Sequence, residues 1–263
     1  MKELSENIDL VSCAFDLTFI RCGSIEKQEA KGEEMSMKKE VMVDMTSGRI
    51  APQILRFAMP VLLGLVFQRI YNFADSYIVG HFLGDNALAA VSVAGVGMYL
   101  VFSLIIGLTT GVTVVMSQYY GAKEEDKVVK TFFSSIFIAL GMTILVTVIG
   151  LVTTRPLLIV LQTPAEVLDA AVLYLRIICA GSVGTMLYNW ISAVLRSLGN
   201  SVVPLIFLGI SSLLNIVFDI LFVAVIPMGV GGAAFATVLA QVISGVACLL
   251  YAWKILPMLR IRR

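Results

Sequence analysis

Between Asn200 and Ala252 the chain carries one charged side chain, Asp219, and apolar runs of the same kind recur back to Phe57. In hydrocarbon every backbone polar group must find a partner within the protein, so runs of this length fold as helices. A helix needs about 20 residues to cross about 30 Å of hydrocarbon. Six runs reach that length, at about 57–83, 88–118, 131–153, 165–194, 203–226 and 231–254. Pro60 sets an expected kink near the start of the first. Thr163-Pro164-Ala-Glu166 offers the fourth a capping hydroxyl, a first-turn proline and an early acid. Pro227-Met-Gly-Val-Gly-Gly232 divides the last two with a cluster of breakers, expected to leave the helix and turn tightly. Composition agrees: 59% hydrophobic and 14% charged residues, with a mean hydropathy of +0.93, lie far from the roughly 45–50% and 25% of soluble domains. The expected fold class is an all-α membrane protein, its six transmembrane helices filling residues 49–257.

The two ends read differently. Residues 1–49 hold seven Lys or Arg and ten Asp or Glu, so 1–48 is expected to be a polar, disordered cytoplasmic tail and 258–263 a basic cytoplasmic end. The apolar patch from Ile8 to Ile20 is interrupted by Asp9 and Asp16 and lacks the basic start of a signal peptide. Met35, Met37 and Met45 are alternative starts. Positive residues set the orientation, because short loops rich in Lys and Arg stay in the cytoplasm. Arg56, Lys123, Lys127, Lys130, Arg196 and Lys254 fall on one side, and Arg155 alone on the other. Both termini are therefore expected in the cytoplasm of a multi-pass cell-membrane protein. The loop Gly121–Lys127 reads as a solvated cytoplasmic turn.

The net charge of +1 points away from a nucleic-acid partner. Cys13, Cys22, Cys179 and Cys248 form neither a CxxC pair nor a disulfide framework and read as free thiols. No Gly-rich phosphate loop, metal-ligand spacing or nucleophile constellation points to an enzyme. Gly95-Val-Gly97 reads as close helix packing.

The residues that carry chemistry are acids and amides stranded in these runs. Ionisable groups inside membrane spans are costly and mark ion or substrate pathways. Gln68, Asn72 and Asp75 recur at four and three residues, which puts them on one face of the first helix. Asn215 and Asp219 share a face of the fifth, and Thr237 adds a hydroxyl from the sixth. Brought together, two carboxylates, an amide oxygen and a hydroxyl form an all-oxygen set suited to a hard cation. A proton suits the set equally, since a carboxyl group removed from water, with a second one beside it, holds its proton more firmly. Sodium and proton stay open, and no other metal or cofactor is implied. The plainer alternative is hydrogen bonding between neighbouring helices, which serves for Gln68 better than for the aspartates. Arg69 is expected to snorkel or to pair with Asp75, and Arg176 to face protein or a wet cavity; His81 reads as surface at the outer end of the first helix. Met98, Tyr99, Phe102, Met186, Tyr188 and Trp190 read as packing and interfacial anchors before they read as a drug cavity.

Four stretches carry a family likeness: LVFQRIYNFADSYIVGHFLG at 65–84, ISAVLRSLGNSVVP at 191–204, SLLNIVFDILFV at 212–223 and GVGGAAFATVLAQ at 229–241. In order and content they resemble the multidrug and toxic compound extrusion (MATE) transporters, from about Ser47 to Leu256. The resemblance implies a cation-coupled antiporter that expels organic, often cationic, compounds by alternating access. It also implies one lobe of a twelve-helix transporter built from two six-helix lobes, with the cargo cavity between them. The family's amino-terminal cation site maps onto Asp75, Asn215, Asp219 and Thr237, with Gln68 and Asn72 as possible support. The expected partners are small organic molecules, the lipid bilayer, and a second six-helix lobe from a missing half or a homodimer. Two other readings stand beside it: a truncated, non-transporting protein that associates with a full-length transporter, and a lipid-linked sugar flippase relative.

Overall fold

The computed structural model describes residues 50–255, and every regular element among them is a helix. The tail expected over 1–48 and the basic end expected over 258–263 lie outside the described residues. The helices are α1 (Ile50–Leu83), α2 (Asp85–Gly121), α3 (Glu125–Val160), α4 (Ala165–Ala180), α5 (Ser182–Ser197), α6 (Val202–Asp219) and α7 (Gly229–Ile255). A π-helical turn, Ile220–Val225, continues α6. Five stretches are long and apolar enough to cross a membrane unbroken, and α4 with α5 makes a sixth that bends by 51°.

Several helices outrun the expected spans. α1 begins at Ile50 and passes through Pro60, and α3 starts at Glu125 and passes through Pro156 to Val160. Gly84 alone joins α1 to α2, at φ 83, a left-handed conformation that glycine adopts without steric cost. Pro164 takes the position before α4, and Thr163 does not cap that helix; its hydroxyl donates instead to the Leu158 carbonyl at 2.7 Å, closing α3. The breaker cluster is shorter than expected. Gly229 already opens α7, so Pro227 and Met228 make the connection with Ile226.

The fourth span was expected to be a single helix, yet it breaks at Gly181. A β-carbon there would sit 2.3 Å from Val238 Cγ2, and one at Gly184 would sit 2.6 Å from Val242 Cγ2. Small residues let membrane helices approach closely, and here they seat α5 against α7. The packing forms a ring. α1 touches α6 and α2, α6 touches α7, α7 touches both halves of the broken span, and that span returns to α2; α3 lies against α2, α4 and α5. Phe102, Met186 and Trp190 are buried in this packing, whereas Tyr99 is exposed on α2. The Trp190 indole donates to the Ser135 hydroxyl at 2.9 Å. Large apolar side chains such as Phe137, Val152 and Leu213 face outward, as lipid-facing positions do. At the turn between α2 and α3, Lys127 pairs with Glu124 at 2.8 Å and lies over the Tyr119 ring.

Candidate functional site

Three helices deliver the expected acids and amides to one place. Asp75 comes from α1 at 8% exposure, Asp219 from the last residue of α6 at 0%, and Asn215 from the preceding turn at 3%. The two carboxyl groups lie within hydrogen-bonding reach of each other. Four buried oxygens here have no partner: Asp75 Oδ1, Asn215 Oδ1 and both Asp219 oxygens.

Thr237, on α7, fixes the amide. Its hydroxyl donates to the Ala233 carbonyl at 3.1 Å, so towards Asn215 it can only accept. Asn215 Nδ2 donates to it at 3.2 Å, which orients the amide and leaves Asn215 Oδ1 free. The widened turn after Asp219 has its own cause: a β-carbon at Gly232 would stand 2.9 Å from the Phe222 carbonyl oxygen, so only glycine lets α7 pass this close. π-turns often mark functional sites.

The arrangement is acceptor-rich and buried. Burying such groups unpaired costs about 1–3 kcal/mol each. A proton or a monovalent cation placed among the four oxygens supplies what they lack. Among the described residues no cluster of three or more His, Cys, Asp or Glu is positioned for a metal.

The other expected residues divide. Gln68 is exposed on one side of α1 yet lines a polar cavity of about 60 Å³ that reaches Asn215 and Thr237. Asn72 is exposed and lines neither that cavity nor the carboxyl pair. Arg69 and Arg176 are exposed and make no ion pair among the described residues. His81 is exposed at the end of α1, stacked with Tyr77.

Two tyrosines missed in the sequence belong to the site. Tyr71 lies beside Gln68 in the field of both carboxyls, and buried Tyr174, from α4, lies beside Thr237 in the same field. Tyr71 sits four residues before Asp75, a spacing that put it on the acid's face; nothing in the sequence pointed to Tyr174. Ser211, Ser212 and Gln241 extend the polar lining at three or four residues from Asn215 and Thr237.

Up to six segments long and apolar enough to cross a membrane, with a buried acid pair carried by α1 and α6, define a polytopic helical bundle. The chain belongs to the MatE family, whose family model matches residues 60–221. It is similar to a Bacillus subtilis protein named "Probable multidrug resistance protein YpnP", with 35% identity over 80% of this chain and 47% of that protein. Among solved structures it resembles a MOP superfamily transporter from Pyrococcus furiosus, with 26% identity and a TM-score of 0.74 over 80% of this chain and 46% of that one. It also resembles a MATE structure in a bent conformation, with 26% identity and a TM-score of 0.73 over 79% and 46% of the two chains. The chain spans about half the length of the curated relatives it matches.

Proposed function

We propose that the chain is the amino-terminal half of a cation-coupled efflux antiporter, exporting small organic compounds, often cationic, across the cell membrane by alternating access. The observation that carries this reading is the Asp75–Asp219 pair, buried, facing and unpartnered. A purely structural contact would leave these oxygens satisfied, whereas a proton or a cation among them supplies the partner they lack. The coupling ion is H⁺ or Na⁺, held by Asp75, Asn215, Asp219 and Thr237. For the ion to drive transport it must bind one conformation better than the other, because a ligand shifts an equilibrium only by its differential affinity.

A single lobe does not close a cavity on its own, since parallel repeats rock against each other about a site at their interface. The reading therefore includes a second six-helix lobe, from a further segment or from another copy, and termini on the cytoplasmic side with Lys123, Lys127 and Arg196. The family likeness to proteins named for multidrug resistance supports the cargo class.

The test expresses the chain, alone and with the carboxyl-terminal lobe of a relative, in a drug-sensitive bacterium and follows ethidium efflux under an imposed H⁺ or Na⁺ gradient. Efflux that requires the gradient and disappears in Asp75→Asn and Asp219→Asn is expected. Efflux undiminished in both variants would sink the assignment. Membrane insertion without efflux under either pairing would favour a non-transporting associate.

A further inference from the structure

We propose that a hydrated passage inside the lobe joins the carboxyl pair to the end where Arg196 lies, and that a monovalent cation crosses the lobe through it. The inference rests on the exporter reading, to which it adds a route for the ion separate from that of the cargo.

Two adjoining cavities lie between α1, α5 and α6, the inner one also against α7. The inner one, about 60 Å³, reaches the ion site through Asn215 and Thr237 and is lined by Gln68, Ser211, Ser212 and Gln241. The outer one, about 210 Å³, opens among Pro60, Arg196, Ser201 and Pro204. Gln68, Tyr188, Asn189 and Leu208 line both, so nothing thicker than these side chains divides them. The helices repeat the pattern level by level. α6 presents Pro204, Leu208, Ser211 and Asn215 at successive turns, and α1 presents Gly64, Gln68, Tyr71 and Asp75. At 1.5 Å per residue, the stretch of α6 from Pro204 to Asp219 covers about 22 Å, most of the way across the hydrocarbon. Cavities with several polar groups on their walls hold water, whereas apolar ones stay dry.

Two features keep such a passage from leaking. Leu205 and Leu208 close on Gly64, where a β-carbon would lie 3.6 Å and 3.4 Å from their δ-methyls. Arg196 stands at the mouth, half-buried and without an ion-pair partner among the described residues, and a fixed positive charge in a pore wall opposes cations. The passage is thus polar beside the ion site, narrow at an apolar collar, and guarded by charge at its mouth.

The test uses the full chain, its cysteines replaced, in everted vesicles probed with a membrane-impermeant trimethylammonium methanethiosulfonate. Ser211→Cys and Asn189→Cys should react at least tenfold faster than Leu213→Cys, whose parent leucine is 65% exposed on the lipid side. Adding Gly64→Leu, which fills the collar, should slow Ser211→Cys by tenfold or more. A Ser211→Cys rate no faster than that of Leu213→Cys, or one indifferent to Gly64→Leu, overturns the passage. In proteoliposomes Arg196→Gln should raise passive H⁺ or Na⁺ leak several-fold; unchanged leak of both ions overturns its role as the barrier. Labelling that follows this pattern in a chain that exports no drug with a second lobe refutes the exporter reading and leaves the passage standing.

Discussion

Replacing Asp219 by asparagine should make the lobe more stable while it destroys ion binding. In the native site four buried oxygens lack partners, and the Asp75 and Asp219 carboxyls face each other within hydrogen-bonding reach. The introduced amide would bring two N–H donors into that gap and remove one of two facing acids. A hydrogen bond to a charged group contributes about 1.5–3 kcal/mol, and each 1.4 kcal/mol is about a factor of ten in an equilibrium constant. The unfolding constant of Asp219→Asn should therefore fall about 10- to 150-fold. The assay is reversible unfolding in mixed dodecyl maltoside and dodecyl sulfate micelles, read by tryptophan fluorescence, since Trp190 is buried against Phe132. A cation that binds only the folded state at 100 times its Kd adds about 2.7 kcal/mol. The wild type should gain this from its coupling ion and the variant should not. An Asp219→Asn lobe less stable than wild type, or one stabilised equally by the ion, would refute the claim that these oxygens are left unsatisfied for a cation.

Thr237→Val removes the group that accepts from Asn215 and should free the amide to rotate, weakening ion binding about fivefold, for the loss of a hydrogen bond of about 1 kcal/mol, with little change in folded yield; cation titration of the purified lobe checks this. Gly184→Leu forces a side chain where a β-carbon alone would meet Val242 Cγ2 at 2.6 Å, so it should cost at least the roughly 1–3 kcal/mol of an overpacked core, seen as a drop in dodecyl sulfate resistance. Asn200→Ala removes the side-chain oxygen that accepts from Val203 N at 3.1 Å at the start of α6 and should cost about 0.5–2 kcal/mol in the same assay.

What the sequence disclosed about the site followed from cost. Asp219 stands out because no other charge occurs for many residues on either side, and Asp75 because its run contains only Arg69 and His81 besides. The long spans were legible for the same reason, since uninterrupted apolarity has one solution in a bilayer. Periodicity went less far. It grouped Gln68, Asn72 and Asp75 on one face, yet Asp75 alone of the three is buried, Gln68 lines the adjoining polar cavity, and Asn72 is exposed away from both. Tyr174 arrives from another span, and no spacing along one helix reports a neighbour across a bundle. The break at Gly181 was hidden by continuous hydropathy through Ala180-Gly-Ser182; its cause is Val238, fifty-odd positions on, pressing where a β-carbon would be. The π-turn after Asp219 was hidden likewise, resting on how closely Gly232 lets α7 approach Phe222.

The central claim is that Asp75 and Asp219 together hold the coupling ion, and the most direct measurement counts it. Purified chain in detergent, wild type and Asp75→Asn/Asp219→Asn, is equilibrated with radioactive sodium in one series and followed for proton uptake in weak buffer in another. One cation per wild-type chain, by one method or the other, and none attributable to the site in the double variant is the predicted result. Equal binding of both ions by the two proteins would contradict the account.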